Sequence, residues 1–290
     1  IAVLVPNYTN PFYPELVKSI ENTARSRDYM VTICDTDEEA NRELHYIKEI
    51  VKRNIDGIIL CTYNRVRRNI DYLIQISDEI PVVFMDRVVD DQEPISYVIT
   101  DGLNCTRDAT SYLIEKERKR IGYIKGSSNY RVTRERFEGY RQALNDHQIN
   151  FDEDLIYTGD FHLESGFKGA RNIMNSPNPP NAIMAATDVM AIGAMKYLKS
   201  QQISIPEDVN IIGFDNISLS TLVEPNLTTI AQPIADLGEA AINILINKIE
   251  NKQAEPEQRE LEGELIIRGT TDKEKNSLNI LGETEDEVVY

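Results

Sequence analysis

The sequence predicts an α/β protein built as two similar lobes, each a doubly wound parallel sheet. Three observations carry this. Short apolar runs of strand length alternate with longer stretches whose apolar residues recur at helical spacing. That alternation runs to about residue 99, starts again near residue 103, and continues to about residue 271. The length, 290 residues, suits about two domains. Strands that alternate with helices pair in parallel, through right-handed crossovers.

In the first lobe, residues 2–5 form a short apolar strand and the loop 7–12 leads to Pro14, a residue suited to the first helical turn. Leu16, Val17, Ile20 and Ala24 then follow at helical spacing. Residues 30–34 are a second strand, and Asp35, Thr36 and Asp37 offer caps for a helix carrying Leu44, Ile47, Ile50 and Val51. Strands are expected at 58–61, 82–85 and 97–99.

A helix from about 103 to 117 leads to a strand at 121–124, which is placed in the second lobe. A helix over 134–145, a short strand at 156–157 and a helix over 164–175 follow. Residues 182–186 are apolar and end at Thr187 and Asp188, both favoured N-cap types. Val189, Ile192, Gly193, Met195 and Leu198 make a helical stripe that Ile205-Pro206 closes. A second apolar run, 209–214, stops at Asp215-Asn216. A polar residue therefore waits at the end of each strand, the edge where open α/β sheets bind ligands.

Composition narrows the function. Hydrophobic residues make up 41% and charged residues 27%, as in ordinary globular chains. The formal net charge of −17 makes this segment repel nucleic acid phosphates, so any DNA binding is expected from another part of the protein. No apolar run has the length of a membrane span, and no signal peptide is recognisable. Cys34, Cys61 and Cys105 are sparse and odd in number, which fits buried free thiols in a reducing cytoplasm. His45, His147 and His162 are scattered, and no dinucleotide, P-loop, zinc or nucleophile-elbow motif occurs, so neither catalysis, metal nor cofactor is expected.

The motifs AATDVMAIGAMKYL at 185–198 and IPEDVNIIGFDN at 205–216 resemble the core signature of the lactose-repressor (LacI/GalR) family of transcription regulators. Matching stretches run in family order: VPNYTNPFYPELVKSIE from Val5, IDGIIL from Ile55, PVVFMDR from Pro81, RIGYIKG from Arg120, RERFEGYRQAL from Arg134, GDFHLESGF from Gly159 and EPNLTTIAQP from Glu224. The resemblance implies a periplasmic-binding-protein-like architecture with several crossings between lobes. It places residues 1–118 and 231–260 in the first lobe and 119–230 and 261–272 in the second. Residues 228–232 read as a connection to the first lobe, where a helix over 234–249 packs, and 265–268 as a last strand of the second. The acidic tail 273–290 is expected to be disordered or loosely docked.

The resemblance also implies a small polar effector between the lobes, a sugar or sugar phosphate rather than a purine, and a homodimer acting on operator DNA through an N-terminal headpiece. Arg136 matches the family's effector-binding arginine, its fork suited to vicinal hydroxyls. Phe161 matches the aromatic platform, or is a buried loop aromatic. Phe12 and Tyr13 sit at the effector position after the first strand, or pack the first helix. Asp101 caps a helix or faces the cleft. Asp215 is favoured as a ligand contact over a cap, and Gln232 is a contact or a hinge element. Thr187 stands where many members have Asn, which removes an amide. An exported sugar-binding protein of a transporter is the competing reading, because it has the same fold and cleft.

Overall fold

The computed structural model describes residues 1–61, 66–77, 79–86, 95–127 and 130–276. The first sheet contains β1 (Ala2–Val5), β2 (Thr32–Asp35), β3 (Ile58–Leu60), β4 (Val82–Met85), β5 (Ser96–Thr100) and β11 (Gln258–Leu261), in the order β11-β5-β4-β3-β1-β2. Every pairing in it is parallel. Successive side chains on a strand face opposite sides, so both faces are apolar and each needs its own helices. Val3 and Val5 pack with α1 (Phe12–Ser26) and α8 (Ile234–Glu250), whereas Ala2 and Leu4 pack with α2 (Ala40–Lys52) and α3 (Arg67–Ile76).

The second sheet contains β6 (Ile121–Lys125), β7 (Ile156–Thr158), β8 (Ala182–Ala185), β9 (Asn210–Asp215), β10 (Thr228–Ala231) and β12 (Glu264–Ile266), in the order β12-β10-β9-β8-β6-β7. It is parallel apart from the antiparallel β10–β12 pair. Tyr123, Met184, Ile212 and Phe214 face α4 (Gly102–Glu115) and α5 (Arg131–Asp146). Ile124, Ile183, Ala185 and Ile211 share the cluster of the opposite face, with α6 (Leu163–Met174) and α7 (Asp188–Ser200).

Three segments cross between the sheets: β5 into α4, β10 into α8, and β11 into β12. They are tied side by side. Asp101 N donates to the Leu261 carbonyl at 2.8 Å, and Gly263 N lies 3.3 Å from Cys105 Sγ.

Several expectations change. Residues 228–232 are largely strand β10, hydrogen-bonded into the second sheet, and the connection follows it. Strand β11 was not anticipated: its residues, QREL, are polar and mostly exposed, as befits an edge strand, so no apolar alternation marks it. A lobe boundary at 118 does not match the packing, since α4 contributes Ala109, Leu113 and Ile114 to the second-lobe core. The chain leaves the first sheet at Asp101. The expected tail begins docked: Asn276 Oδ1 accepts from Asn226 N at 3.0 Å, and its Nδ2 donates to Glu224 Oε1 at 2.7 Å. Residues 277–290 of that tail, and Arg87 of the PVVFMDR motif, lie outside the described residues. Among the described residues, no helix is long and apolar enough to cross a membrane.

Candidate functional site

The carboxyl edges of the two sheets bring together most of the candidate residues. Gln232 lies in the crossing after β10 and is 7% exposed. Its Oε1 accepts from Thr100 Oγ1 at 2.6 Å, and its Nε2 donates to Asp215 Oδ1 at 2.7 Å. Thr100 ends β5 and Asp215 ends β9, so one amide joins the ligand edges of both sheets. This fixes the amide orientation, because only the carbonyl end can accept and only the nitrogen end can donate.

Asp215 holds φ 115°, a left-handed value that a β-carbon disfavours, and Asn216 follows with φ 57°. Phe161, with φ 71°, and Asp86, with φ 59°, are also left-handed. Such strain clusters where surrounding structure holds a side chain for a task.

Arg136 is 5% exposed on α5. Its Nη1 donates to the Ala186 carbonyl at 2.7 Å, and its guanidinium carbon sits 3.6 Å from the centroid of the Phe214 ring. A cation over a ring face is favourable, the more so when desolvated. The buried Nε has no hydrogen-bond partner among the described residues. Because Ala186 precedes Thr187 and Phe214 precedes Asp215, this arginine ties the ends of β8 and β9 together. Thr187 Oγ1 accepts from Met190 N at 3.3 Å and so caps α7.

The aromatic candidates form part of one apolar cluster that includes Phe12, Tyr13 and Phe161. Phe12 and Tyr13 meet edge to face at 5.2 Å, and the Tyr13 hydroxyl donates to Asp86 Oδ2 at 2.9 Å. Phe161 is 7% exposed and lies 6.2 Å from the Tyr130 ring. A β-carbon on Gly126 would overlap the Phe161 ring, so glycine there makes the seat. Asp101 stands apart from the Arg136–Asp215 group in its bonding: Oδ1 accepts from Asn104 N at 3.0 Å and Oδ2 from Asn104 Nδ2 at 2.6 Å, a helix cap.

Sequence reasoning passed over three neighbours. Asp86 directly follows β4 and Thr100 ends β5, the same signal that singled out Asp215. Asp188, read only as a cap type, is fully buried. Its Oδ1 accepts from Thr229 Oγ1 at 2.5 Å and its Oδ2 from Ile217 N at 2.9 Å. Burial, and secondarily the nearby Asp215 carboxylate, push its pKa well above the ordinary carboxylate range. A β-carbon on Gly213 would collide with Asp188 Oδ1, so the strand itself makes room for that acid. Burial likewise lowers the Arg268 pKa, against the attraction of Asp188. No cluster of His, Cys, Asp or Glu among the described residues could hold a metal ion.

Forked donors on Arg136, a carboxylate and an amide joined at the ends of β9 and β5, and the Phe161 ring are group types that suit a polar ligand. Residues 1–268 match the family described as periplasmic binding proteins and sugar binding domain of LacI family. The chain is 36% identical over 271 residues to the HTH-type transcriptional repressor CytR of Escherichia coli (strain K12), covering 93% of this chain and 79% of that protein. It is 33% identical over 279 residues to the ribose operon repressor of Halalkalibacterium halodurans, covering 96% of this chain and 81% of the relative. A LacI family regulator from Enterococcus faecium, solved with bound ribose, superposes with a TM-score of 0.83 at 27% identity, covering 93% of this chain and 97% of the other. The chain belongs to the LacI family of transcription regulators, and its two-lobed body is that family's ligand-binding domain.

Proposed function

We infer that this chain is the effector-binding and dimerisation core of a cytoplasmic repressor, working as a binding protein and not as an enzyme. Its effector is a sugar or sugar phosphate, held between the lobes by Arg136 and Asp215 with Phe161 as the ring platform. Phe12, Tyr13, Thr187 and Gln232 complete the walls, while Asp101 sets the crossing. The relatives at 36% and 33% identity are both repressors, which favours regulation over transport. The ribose-bound relative supports a sugar.

The observation that carries the reading is the Thr100–Gln232–Asp215 chain, which ends on both sheets. A ligand that bonds to Asp215 competes with Gln232 for one of its oxygens, and so exchanges an interlobe bond for ligand contacts. Differential affinity for one lobe arrangement then shifts the population between arrangements. Through a dimer, that shift alters the spacing of two DNA-binding headpieces on their half-sites. Calorimetry with D-ribose, other neutral sugars and their phosphates tests the effector class. Saturable binding to one of them, lost in Arg136→Ala, is expected; heat from none of them removes the sugar reading.

A further inference from the structure

Arg131 opens α5 in the second lobe, yet its guanidinium reaches the first. Nη1 donates to the Tyr97 hydroxyl at 2.9 Å, and Nη2 pairs with Glu260 Oε1 at 2.6 Å. Tyr97 lies on β5 and Glu260 on β11, neighbouring strands of the first sheet. The third point of attachment is local: Nε pairs with Glu135 Oε1 at 2.5 Å, one turn along α5. The Tyr97 hydroxyl also donates to Glu260 Oε1 at 3.3 Å, and the guanidinium carbon lies 5.1 Å from the Tyr97 ring centroid.

This differs from an ordinary surface ion pair, which loses most of its Coulomb energy to water and to side-chain entropy. The Arg131 side chain is only 14% exposed, and Glu135 holds its orientation before the lobes meet. Preorganised, partly desolvated, multiply bonded arginines are the pairs that retain energy. The three crossings pass nearby, for β5 and β11 are the strands that lead into two of them.

We propose that Arg131 is a positioning residue, clasping Tyr97 and Glu260 to hold the two lobes at the separation seen in this structure. Tyr97, Glu260 and Glu135 are all separate from the effector anchors assigned above. The consequence for binding rests on the reading of an interlobe effector: if the clasped arrangement is the binding-competent one, apparent affinity scales with its population.

Small-angle scattering on the ligand-free chain of 290 residues, at one protein concentration, tests the clasp without reference to any effector. Arg131→Ala and Glu260→Ala are each expected to raise the radius of gyration. The double variant should rise no further than either single one, because both cut the same link. The exchanged pair, Arg131→Glu with Glu260→Arg, should return the compact profile. Glu260, on an edge strand with a side chain 42% exposed, keeps the test available should Arg131→Ala fail to fold. Profiles of both single variants that superimpose on the wild type, or a double variant that expands by the sum of the two, overturn the proposal. Where D-ribose binds the wild-type chain, Arg131→Ala should weaken it roughly fivefold, which is about 1 kcal/mol at ~1.4 kcal/mol per decade. A wild-type chain that binds no sugar counts against the effector reading alone, since the scattering contains none.

Discussion

Gln232 donates to Asp215 at 2.7 Å while accepting from Thr100 at 2.6 Å, so a single side chain couples the ligand edge of one sheet to that of the other. Asp215 is 4% exposed, and the Gln232 amide donates to its Oδ1. An effector that bonds to this carboxylate meets a group already oriented, in a left-handed backbone that leaves it little freedom. Hydrogen bonds to charged groups contribute about 1.5–3 kcal/mol. At ~1.4 kcal/mol per decade, Arg136→Ala and Asp215→Ala should each weaken effector binding tenfold or more. Arg134→Ala, exposed on another face of the same helix, should change it little. Calorimetry on the three variants decides this; equal affinities sink the assignment.

Asp188 makes a pH prediction. Its folded pKa is raised, so the folded state holds a proton that the unfolded chain releases above about pH 4. The stabilisation is therefore full below that value and is lost as pH rises through the folded pKa. Asp188→Asn keeps the shape: its oxygen can accept from Ile217 N while its amide donates to Thr229 Oγ1. Urea titrations from pH 4 to 8 should find the variant gaining on the wild type as pH rises. A stability difference that stays flat with pH refutes the linkage.

Two glycines test the seats. Gly213→Ala drives a β-carbon into Asp188 Oδ1, and overpacking of this kind costs about 1–3 kcal/mol. Its melting temperature should fall. Gly126→Ala meets the Phe161 ring instead, at the proposed platform. Effector affinity should drop there, and an unaltered affinity with a lowered melting temperature would make Phe161 a packing residue only.

Dimerisation predicts a particular surface. Met30, beside edge strand β2, is 88% exposed, and Leu222, following β9 in the second lobe, is 63% exposed. The first-lobe interface is expected near the helix over 14–24, and an isologous contact buries the same patch on both copies. Sedimentation should give a dimer at tens of micromolar concentration that Met30→Glu, four residues beyond the end of α1, weakens. A wild-type monomer under those conditions argues against the dimer.

Charge predicts an absence of DNA affinity. At −17, this chain alone should give no sequence-specific shift with operator fragments at physiological salt. Specific retardation by this chain would require a nucleic acid surface that its charge opposes.

The local chemistry of the chain was enough to define most elements. β4 and its limits follow from the run VVFM, and the cap at Thr187 follows from a hydroxyl standing between an apolar strand and a helical stripe. The aggregate of motifs likewise sufficed for the family. Elements with no apolar signature escaped: β11 is polar because an edge strand can leave side chains in water, and β10 passed for a linker because Thr228 and Thr229 look like loop residues although both are buried. Asp215 was singled out as a strand end, a local property, and Arg136 by the motif RERFEGY, which resembles that of the family's effector-binding arginine. Their partners were not legible. Thr100 and Gln232 are 132 residues apart, Arg131 and Glu260 are 129 apart, and only closure of two sheets around three crossings makes them neighbours. Asp188 marks the same division from within. Its type and cap-like place are written in the sequence, but the desolvation that raises its pKa comes from Gly213, Ile217 and Thr229, which the tertiary fold packs around it.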